Sequence, residues 1–456
     1  MRTDTTAREE ALSAINEIER GKHSHSVFSS LHERWKGRRR DLSLSLRIAK
    51  GVIEWRDKID LLLGDYIIPS KYRALPSAIR NILRLSAYQL LFLDKVPNYA
   101  VVNESVALAK KYGHRGTAGL VNGVLRRLAQ DGRERFKRIT GADEAEKIAI
   151  LYSHPLWLVK RWIEEFGKEN TEKLCSYNNT THPPCIRVSG GGDNILWALD
   201  EFKKSGVIAK RGRYAKNALY LVSISDKVGS LLALEPFKRG LASFQDESSQ
   251  IVPAILAPKR GECVLDLCAA PGGKAFIMEE LMEREGVLVA NEKVERRAQA
   301  LGELCRKRKS EIVITVKDGA FVTPNDFFEY TAGKLFDKVL VDAPCSGTGT
   351  IAKKGEIRWR LSPENITACS QRALALLKNG AALVRKGGYI AYSTCSLERE
   401  ENWGVVSEFL NENSSFILCP PLGAIPSDLT EGKTLCAYPF RHGIGGAFCA
   451  LMKRIN

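Results

Sequence analysis

Residues 262–274 read ECVLDLCAAPGGK, and this stretch decides the fold of the C-terminal half of the chain. Its apolar first part, residues 262–267, predicts a buried strand. The small residues and glycines that follow let the backbone approach a ligand closely and begin a helix. Their spacing is not the G-x-G-x-x-G of a dinucleotide pyrophosphate loop, which disfavours NAD as the ligand. The stretch therefore predicts the first strand, turn and helix of an open α/β sheet that binds a ligand at its strand ends.

The same alternation of strand and helix continues toward the C-terminus. Apolar runs that predict further strands lie at residues 287–290, 312–316, 336–341 and 389–393. Helical periodicity follows the strands at residues 273–285, 294–308, 363–383 and 398–411. The tail predicts a terminal hairpin from residues 434–439 and 447–452. Apolar strands that alternate with helices are typical of a parallel sheet covered on both faces.

An acidic residue stands at four successive strand ends: Asp266, Glu292, Asp318 and Asp342. A lone acid at such a position is more often a helix cap or a solvated turn, but four in succession favour a ligand site. Glu292 is placed to accept hydrogen bonds from both hydroxyls of a ribose, the usual arrangement for adenosine ligands. Asp318 is placed to accept a hydrogen bond from the exocyclic amine of adenine. We therefore expect an adenosine-containing cofactor at this edge of the sheet.

Two cysteines are delivered to the same edge. Cys345 lies in DAPCSG (342–347) and Cys395 lies in YSTCS (392–396), each directly after an apolar run. The flanking Pro, Ser, Thr and Gly residues predict turns, so nucleophilic chemistry is favoured over burial for these two thiols. Burial as a small apolar group is the usual fate of a free cysteine. It is expected of six others: Cys175, Cys263, Cys305, Cys369, Cys436 and Cys449. For Cys268 we expect the backbone, and not the sulfur, to face the cofactor.

Three longer motifs carry a family resemblance. D-x-C-A-A-P-G-G-K, D-A-P-C-S-G-x-G and Y-S-T-C-S resemble the motifs of the RNA cytosine-5 methyltransferases, the NOL1/NOP2/Sun family, over about residues 241–456. The resemblance implies a Rossmann-like sheet that binds S-adenosyl-L-methionine. The positions that match the family's cofactor contacts are Cys268, Ala269, Ala270, Pro271, Gly272, Gly273, Lys274, Glu292, Asp318 and Asp342. Residues 354–359, KGEIRW, stand where the family commonly has His-Pro-Asp-Ile-Lys/Arg-Trp.

The family's chemistry implies roles for the two thiols. C5 of cytosine is too weak a nucleophile to accept a methyl group unaided, and addition of a thiolate at C6 activates it. By resemblance, Cys395 is the nucleophile and Cys345 assists release of the methylated product. Asp342 is expected to hold the N3/N4 edge of the cytosine or to contact the cofactor. Lys274 is expected to hold the methionine carboxylate or to neutralise Asp342, and the sequence leaves both pairs of alternatives open.

Charge and cysteine usage narrow the class of protein. The 456 residues carry a net charge of +16, and residues 1–150 hold 28 Lys and Arg against 18 Asp and Glu. This basic excess favours a polyanionic partner, either nucleic acid or an anionic membrane surface. No apolar run reaches the ~18 residues that span a bilayer, and we expect no membrane partner. The 11 cysteines contain no C-x-x-C pair, which disfavours a disulfide framework and a metal site and indicates a cytoplasmic protein.

Residues 5–135 show helical periodicity with almost no strand signal. The segments RNILRLSAYQLL (80–91) and AGLVNGVLRRL (118–128) resemble the NusB family of all-helical RNA-binding domains. The charged residues 132–141 predict a linker, and a helix is predicted over 148–166. Five arginines are candidates for phosphate contacts, with a solvated helix face as the alternative: Arg38, Arg39, Arg40, Arg126 and Arg127.

Together these parts predict a multidomain protein. We expect an all-α NusB-like domain at 1–140, a small α+β linker domain at 141–240 and an α/β Rossmann-like methyltransferase domain at 241–456. The combination resembles bacterial methyltransferases of ribosomal RNA, which implies a monomeric enzyme acting on a cytidine in 16S ribosomal RNA or a small-subunit precursor. The same chemistry on transfer RNA or another ribosomal site is an alternative. A non-catalytic RNA-binding assembly factor is opposed by the intact residues Cys395, Cys345 and Asp342. A small-molecule methyltransferase or dehydrogenase is opposed by the charge of +16 and by the lack of a G-x-G-x-x-G motif.

Overall fold

The computed structural model describes residues 6–34, 39–225 and 228–456, with only the backbone of Arg39. The chain forms two compact units, of which one comprises Met1–Thr180 with Ile351–Arg360 and the other Thr181–Thr350 with Leu361–Asn456. The three-domain division expected from the sequence, with boundaries near 140 and 240, stays a prediction.

The first unit is helical in its described part, as the sequence predicts. Its first ten helices are α1 (Ala7–Glu19), α2 (Ser24–Arg34), α3 (Arg39–Gly64), α4 (Pro69–Ala74), α5 (Ser77–Phe92), α6 (Asn98–Tyr112), α7 (Arg115–Arg138), α8 (Glu144–Tyr152), α9 (Leu156–Phe166) and α10 (Lys168–Asn178). The apolar stripe of α5 packs into the core, where Ile79 and Ile82 are fully buried. Arg84 on the same helix is buried and pairs with Glu19 and Asp60, each at 2.6 Å. These charges are compensated inside the fold, so they are not free for a ligand.

Two local predictions in this unit are wrong. The charged segment after residue 131, predicted as a linker, continues α7 as far as Arg138, because Phe136 packs against Phe92 with ring centroids 5.4 Å apart. The single helix predicted over 148–166 is two helices, α8 and α9. They separate where Ser153 adopts a left-handed φ of 52° and Pro155 supplies no backbone N–H for a helical hydrogen bond.

The second unit begins with a small antiparallel sheet. Its elements are β1 (Cys185–Val188), α11 (Gly192–Lys204), β2 (Val207–Arg211), β3 (Ala218–Ile224), α12 (Glu235–Lys238) and β4 (Ala242–Phe244). The strands lie in the order β2-β3-β1-β4, with every neighbouring pair antiparallel. Ile186 and Leu219 on one face form a core with Phe202 of α11, and all three are fully buried. The predicted α+β character of this region is confirmed.

The remaining elements form the larger α/β part. They are α13 (Glu247–Leu256), β5 (Cys263–Asp266), α14 (Gly273–Leu281), β6 (Val287–Asn291), α15 (Glu295–Arg308), β7 (Val313–Thr315), α16 (Phe328–Thr331), β8 (Phe336–Asp342), α18 (Pro363–Ala382), β9 (Val384–Thr394), α19 (Val405–Glu412), β10 (Phe416–Cys419), β11 (Thr430–Glu431), β12 (Thr434–Ala437), α20 (Pro439–His442) and β13 (Ala447–Arg454). The short helix α17 (Ile357–Arg360) lies between β8 and α18 in the chain but belongs to the first unit. A π-helical turn, Glu400–Gly404, precedes α19 where the sequence predicts a regular helix over 398–411.

The order of strands in this sheet reverses between two neighbouring strands. The strand order is β11-β12-β13-β9-β8-β5-β6-β7, with β10 paired to β13. Strands β9-β8-β5-β6-β7 are parallel, and the C-terminal strands add an antiparallel extension. Val339 and Leu340 point to opposite faces and are both fully buried, so the parallel part is covered on both sides. Because the chain crosses from β7 back to β8 on the other side of β5, the strand order reverses between β5 and β8. Open α/β sheets bind ligands outside the strand ends at such a point.

One segment between β8 and α18 belongs to the first unit. Arg358 in α17 is fully buried there and donates hydrogen bonds to the backbone oxygen of Ser153 (3.1 Å) and to Oδ1 of Asn179 (2.8 Å). Trp359 donates its ring N–H to a backbone carbonyl of α3 at 2.6 Å. Burial lowers the pKa of Arg358 to about 10. Arg358 and Trp359, in the segment 354–359 where the sequence departs from the family motif, are thus packed into the helical unit.

Candidate active site

The loop between β5 and α14 is the first component of the site. The N–H of Ala269 donates to the backbone oxygen of Asn291 at 2.9 Å, which ties the loop to the end of β6. Gly272 has a φ of 102°, and a Cβ at this position would lie 2.3 Å from Cδ1 of Leu301. A side chain is therefore excluded both by conformation and by space. Burial raises the pKa of the Cys268 thiol, as befits a cysteine that contributes its backbone to the loop.

Acidic side chains follow β6 and β7 at the same edge. Glu292 is 4% exposed and accepts a hydrogen bond from the N–H of Val294 at 2.9 Å. It also forms an ion pair with Arg297 at 3.0 Å. Asp318 keeps about a third of its side chain exposed, and Lys293 approaches one of its oxygens to 2.5 Å. The hydrogen bond from Lys293 lowers the pKa of Asp318. Both groups are carboxylates with unused lone pairs, so they can accept further hydrogen bonds.

Arg297 was not singled out by the sequence, yet it joins two parts of the site. One of its nitrogens donates to the backbone oxygen of Ala270 in the loop at 2.5 Å, while another pairs with Glu292. The residue lies on α15, one helical turn past the end of β6, where a surface arginine carries no distinctive sequence signal. Its contacts fix the acid of β6 against the loop of β5.

Asp266, the acid at the end of β5, differs from the other three. It is 1% exposed, and neither of its carboxylate oxygens has a hydrogen bond of ordinary geometry within the described residues. Burial, with the neighbouring charge of Asp342, raises its pKa to about 7. A buried carboxyl without full compensation favours its neutral form. Asp266 therefore lies buried beneath the ligand edge, and its carboxyl is mostly neutral only at pH values below about 7.

The ion pair of Lys274 and Asp342 joins the loop to the end of β8. Nζ of Lys274 lies 2.6 Å from Oδ2 of Asp342, and the hydroxyl of Ser393 donates to Oδ1 at 2.7 Å. Burial opposes the charge on Lys274, but the carboxylate of Asp342 outweighs it and the pKa of Lys274 is raised. Of the two contacts expected for Lys274, the structure contains the one with Asp342.

Cys345 and Cys395 lie together at this edge. Asp342 on β8 is aligned with Ser393 on β9 in parallel register, so the two loops that follow these strands run side by side. The sulfur atoms of Cys345 and Cys395 are 3.4 Å apart, and both residues are half-buried. The structure thus brings the two thiols singled out by the motifs into contact with each other.

The surroundings of the two thiols differ. The hydrogen bond to Cys395, together with burial, raises the pKa of Cys345 well above its ordinary value. The ammonium group of Lys274 interacts electrostatically with Cys395. A nearby cation favours the thiolate, which is the reactive form of cysteine. The two thiols therefore differ in their surroundings: the pKa of Cys345 is raised, whereas Cys395 interacts with the Lys274 cation.

Glu401 is a second residue that the sequence did not reveal. It is fully buried in the π-helical turn and accepts hydrogen bonds from Ser346 and Ser396, the residues that follow the two cysteines. A single sequence gives no signal for it, because the helical pattern around residue 401 does not show which side chains point to the loops.

Four of the six cysteines that we expect to be buried are buried in the structure: Cys175, Cys305, Cys436 and Cys449. The other two, Cys263 and Cys369, are only half-buried.

Of the five arginines that are candidates for RNA contacts, three have side chains within the described residues: Arg40, Arg126 and Arg127. Arg38 and the side chain of Arg39 lie outside the described residues. Arg40 and Arg126 are exposed on α3 and α7. Arg127 is exposed but donates a hydrogen bond to the backbone oxygen of Tyr66 at 2.8 Å, so part of its guanidinium serves the fold.

In the part of the chain that the structure covers, no cluster of metal-ligating side chains occurs. Within the same described ranges, no helix has the length and apolarity needed to cross a membrane.

The residues at the edge fit S-adenosyl-L-methionine. The glycine-containing loop permits close approach of a ligand to the backbone, and the acids of Glu292 and Asp318 can accept hydrogen bonds from a ribose and an adenine amine. A Cβ at Gly273 would lie 3.0 Å from the side-chain nitrogen of Gln245, which would have to move slightly to admit it. The donor and acceptor set therefore suits an adenosine-containing methyl donor.

Comparison with known proteins identifies the family. The family described as 16S rRNA methyltransferase RsmB/F matches residues 253–453, the NusB family matches residues 5–130, and the RsmF/B-like ferredoxin-like domain matches residues 154–226. The probable ribosomal RNA small subunit methyltransferase B of Bacillus subtilis strain 168 is 31% identical over 90% of each chain. The protein of the same name from Synechocystis is 32% identical over 91% of each chain.

Solved structures agree with this relationship. The crystal structure of the protein PH0851 aligns over 100% of both chains with a TM-score of 0.84 and 26% identity. A methyltransferase homologue from Pyrococcus horikoshii aligns over 69% of this chain and 100% of its own with a TM-score of 0.56 and 25% identity. The chain therefore belongs to the ribosomal RNA small subunit methyltransferase B family, and its methyl donor is S-adenosyl-L-methionine.

Proposed function

We propose that the chain methylates C5 of a cytidine in 16S ribosomal RNA through a transient covalent bond between Cys395 and C6 of the base. The observation that carries the proposal is the pair of sulfur atoms 3.4 Å apart at the ends of two parallel strands, beside the Lys274–Asp342 ion pair. Membership in a family of small-subunit rRNA methyltransferases supports the RNA substrate.

The chemistry explains why a thiol is needed at this place. Addition of the Cys395 sulfur to C6 breaks the C5–C6 double bond and makes C5 nucleophilic, which transfer of a methyl group to carbon requires. Afterwards the proton on C5 leaves to a base, the bond between C6 and sulfur breaks, and the double bond forms again. S-adenosyl-L-methionine, held by residues 268–274 with Glu292 and Asp318, supplies an electrophilic methyl group when bound.

Asp342 and Lys274 act on the base and the nucleophile in this proposal. Asp342 holds the N3/N4 edge of the cytosine and favours the N3-protonated ring, which accepts electrons at C6. The ammonium of Lys274 lies 2.6 Å from the carboxylate of Asp342 and neutralises its charge, and it favours the thiolate of Cys395. Neutralisation of Asp342 is thus the role that we assign to Lys274, with Asp342 shared between base and cofactor.

Cys345 assists release of the product. Its pKa is raised, so it enters the reaction as a protonated thiol beside the sulfur that must depart. The 3.4 Å contact places its proton within reach of Cys395. Without Cys345, we expect the methylated base to remain bonded to Cys395.

The helical unit is proposed to hold the RNA. Its family match is to NusB, and Arg40 and Arg126 are exposed cations available for phosphate contacts. The target base must leave any stack before its C6 can meet a thiol in a protein crevice, so a single-stranded, looped or flipped cytidine is the expected target.

The experiment that tests the proposal is a covalent trapping assay. Cys345→Ala is incubated with S-adenosyl-L-methionine and 16S ribosomal RNA that lacks the modification, and the mixture is resolved on a denaturing gel. We expect an RNA–protein complex that survives denaturation in Cys345→Ala, none in Cys395→Ala, and only traces in the wild type. Cys419→Ala, which changes a half-buried cysteine of β10, is the matched control and should behave as the wild type.

The same samples separate the alternative substrates. Wild-type protein should produce 5-methylcytosine in 16S ribosomal RNA and not in bulk transfer RNA. Full turnover by Cys395→Ala would overturn the covalent mechanism. Methylation of transfer RNA alone would overturn the substrate, and absence of methylation from all of these RNAs would favour a non-catalytic assembly factor.

A further inference from the structure

We propose that Glu401 is a positioning residue that holds the loops of Cys345 and Cys395 in the arrangement needed for both formation and cleavage of the bond to the base. The inference rests on the proposed function, because it concerns the same two thiols. Glu401 is fully buried, and neither the motifs nor the family resemblance assigns it a role.

The contacts of Glu401 bridge the two thiol-bearing loops. Oε1 accepts a hydrogen bond from the backbone N–H of Ser346 at 2.7 Å, and Oε2 accepts from the hydroxyl of the same serine. The hydroxyl of Ser396 also donates to Oε2. Ser346 directly follows Cys345, and Ser396 directly follows Cys395. One carboxylate therefore contacts the residue next to each sulfur, and its removal would take a shared support from both loops at once.

The π-helical turn that carries Glu401 also holds the Cys395 loop through hydrogen bonds of its next residue, Asn402. The side chain of Asn402 donates to the backbone oxygen of Ser396 at 3.0 Å and accepts from the hydroxyl of Thr394. Thr394 and Ser396 flank Cys395, so both neighbours of this cysteine are held by consecutive residues of one turn. A π-helical turn, with hydrogen bonds from residue i to i+5, is rare and is frequently found at functional sites.

The burial of Glu401 argues that the group serves more than local stability. Its side chain is fully buried, and burial raises its pKa although Ser346 and Ser396 donate to it. Burying a carboxylate costs free energy that hydrogen bonds offset only in part, and a well-packed apolar residue is often no less stable at such a place. The donors of Glu401 are nevertheless concentrated on the residues next to the two cysteines. This geometry points to control of the sulfur positions.

The variants separate a positioning role from a charge role. Glu401→Ala removes the bridge, whereas Glu401→Gln keeps a carbonyl acceptor for the N–H of Ser346, and the serine hydroxyls can turn to accept from its amide. Glu279→Ala is the matched control. Glu279 is a 6% exposed glutamate that accepts hydrogen bonds from Ser310 and Glu311, away from the cysteine loops. Each variant is first compared with the wild type by thermal unfolding.

Turnover and trapping are then measured in the full-length protein. We expect Glu401→Ala to lower kcat at least about 100-fold while the KM for S-adenosyl-L-methionine changes less than about 3-fold, because the cofactor loop keeps its contacts. Glu401→Gln should retain kcat within about 10-fold of the wild type, and Glu279→Ala should alter the unfolding temperature without this loss. In the Cys345→Ala background, Glu401→Ala should slow formation of the denaturant-stable complex at least about 10-fold.

The outcomes are distinguishable from failure of the proposed function. If Cys345→Ala alone traps no RNA, the covalent mechanism is wrong whatever Glu401 does. If trapping occurs but folded Glu401→Ala turns over and traps like its parent, the positioning role is wrong. A Glu401→Gln variant as inactive as Glu401→Ala would also overturn it, in favour of a need for the charge. Should Glu401→Ala fail to fold, the pair Ser346→Ala and Ser396→Ala decides: a combined loss of kcat supports the inference, and wild-type kcat contradicts it.

Discussion

Nζ of Lys274 and Oδ2 of Asp342 lie 2.6 Å apart. Lys274 lies on α14, directly after the loop that follows β5, whereas Asp342 is the last residue of β8. The contact joins the cofactor loop to the strand end that leads to Cys345. Ser393, beside Cys395, donates to the other oxygen of Asp342 at 2.7 Å. A single carboxylate thus connects the proposed cofactor site with the loops of both thiols.

The first prediction concerns this ion pair. Lys274→Met should lower kcat about 100-fold or more at saturating cofactor, since Asp342 loses its counter-charge and the Cys395 thiolate loses a stabilising cation. The measurement is steady-state methyl transfer to 16S ribosomal RNA. Lys204→Met, which breaks an exposed pair with Asp200 (2.7 Å), should leave kcat within about 2-fold, as surface pairs contribute little. Equal activity of both variants would refute the role of Lys274.

The second prediction concerns Glu292. Glu292→Gln should weaken binding of S-adenosyl-L-methionine about 10-fold, because a carboxylate that accepts from the ribose hydroxyls is replaced by a group with one acceptor oxygen. Isothermal titration calorimetry with the cofactor alone measures the dissociation constant in the absence of RNA. Glu295→Gln on the exposed first turn of α15 is the control and should bind normally. Unchanged affinity in Glu292→Gln would remove this residue from the cofactor site.

The third prediction concerns pH and Asp266. In the folded protein its pKa is raised to about 7, whereas an unfolded aspartate ionises near pH 4. The folded state therefore retains a proton that the unfolded state has lost, and the free energy of unfolding falls as pH rises from about 4 to about 7. The difference corresponds to on the order of 4 kcal/mol at most. Above pH 7 both states are ionised and the effect is constant.

Asp266→Asn should remove this dependence. The unfolding temperature of the variant relative to the wild type should rise between pH 5 and about pH 7.5 and then stay level. Differential scanning calorimetry at several pH values measures it. A constant offset between the two proteins across this range would mean that Asp266 is already ionised in the folded state at pH 5.

The fourth prediction concerns Arg358 in the segment packed into the helical unit. Arg358→Met fills a similar volume but leaves the oxygens of Ser153 and Asn179 without their donor, so the helical unit should lose about 2–4 kcal/mol. Faster amide hydrogen exchange in α8 and α10 reports the loss. Lys354→Met, at an exposed position of the same segment, should not change the exchange. Unaltered exchange in Arg358→Met would show that the buried guanidinium contributes nothing to this unit.

Much of the α/β part could be predicted from the sequence. The strand ends at Glu292, Asp318 and Asp342 and the turns at Cys345 and Cys395 follow from apolar runs that stop at polar residues, a signal local to each strand. Parallel strands then bring their carboxyl ends to one edge. The adjacency of the two thiols follows from β8 and β9 being neighbours, which the family motifs implied.

Other features depend on contacts between residues far apart in the chain. The extension of α7 to Arg138 requires Phe136 to find Phe92, and the burial of Arg358 requires partners that precede it by more than 170 residues. The π-helical turn at Glu401 is stabilised by the two cysteine loops that it contacts. Residue types and spacing do not encode such pairings, so the sequence left Glu401 and Arg297 unnoticed.

The most direct test of the central claim is the identity of the sulfur that bonds to RNA. Cys345→Ala is trapped with S-adenosyl-L-methionine and 16S ribosomal RNA, digested with nuclease and trypsin, and analysed by mass spectrometry. Trypsin releases Cys395 in the peptide GGYIAYSTCSLER (387–399), which contains a single cysteine. We expect the added mass of one methylated cytidine nucleotide on Cys395. An unmodified Cys395 peptide, with the nucleotide on another cysteine or on none, would contradict it.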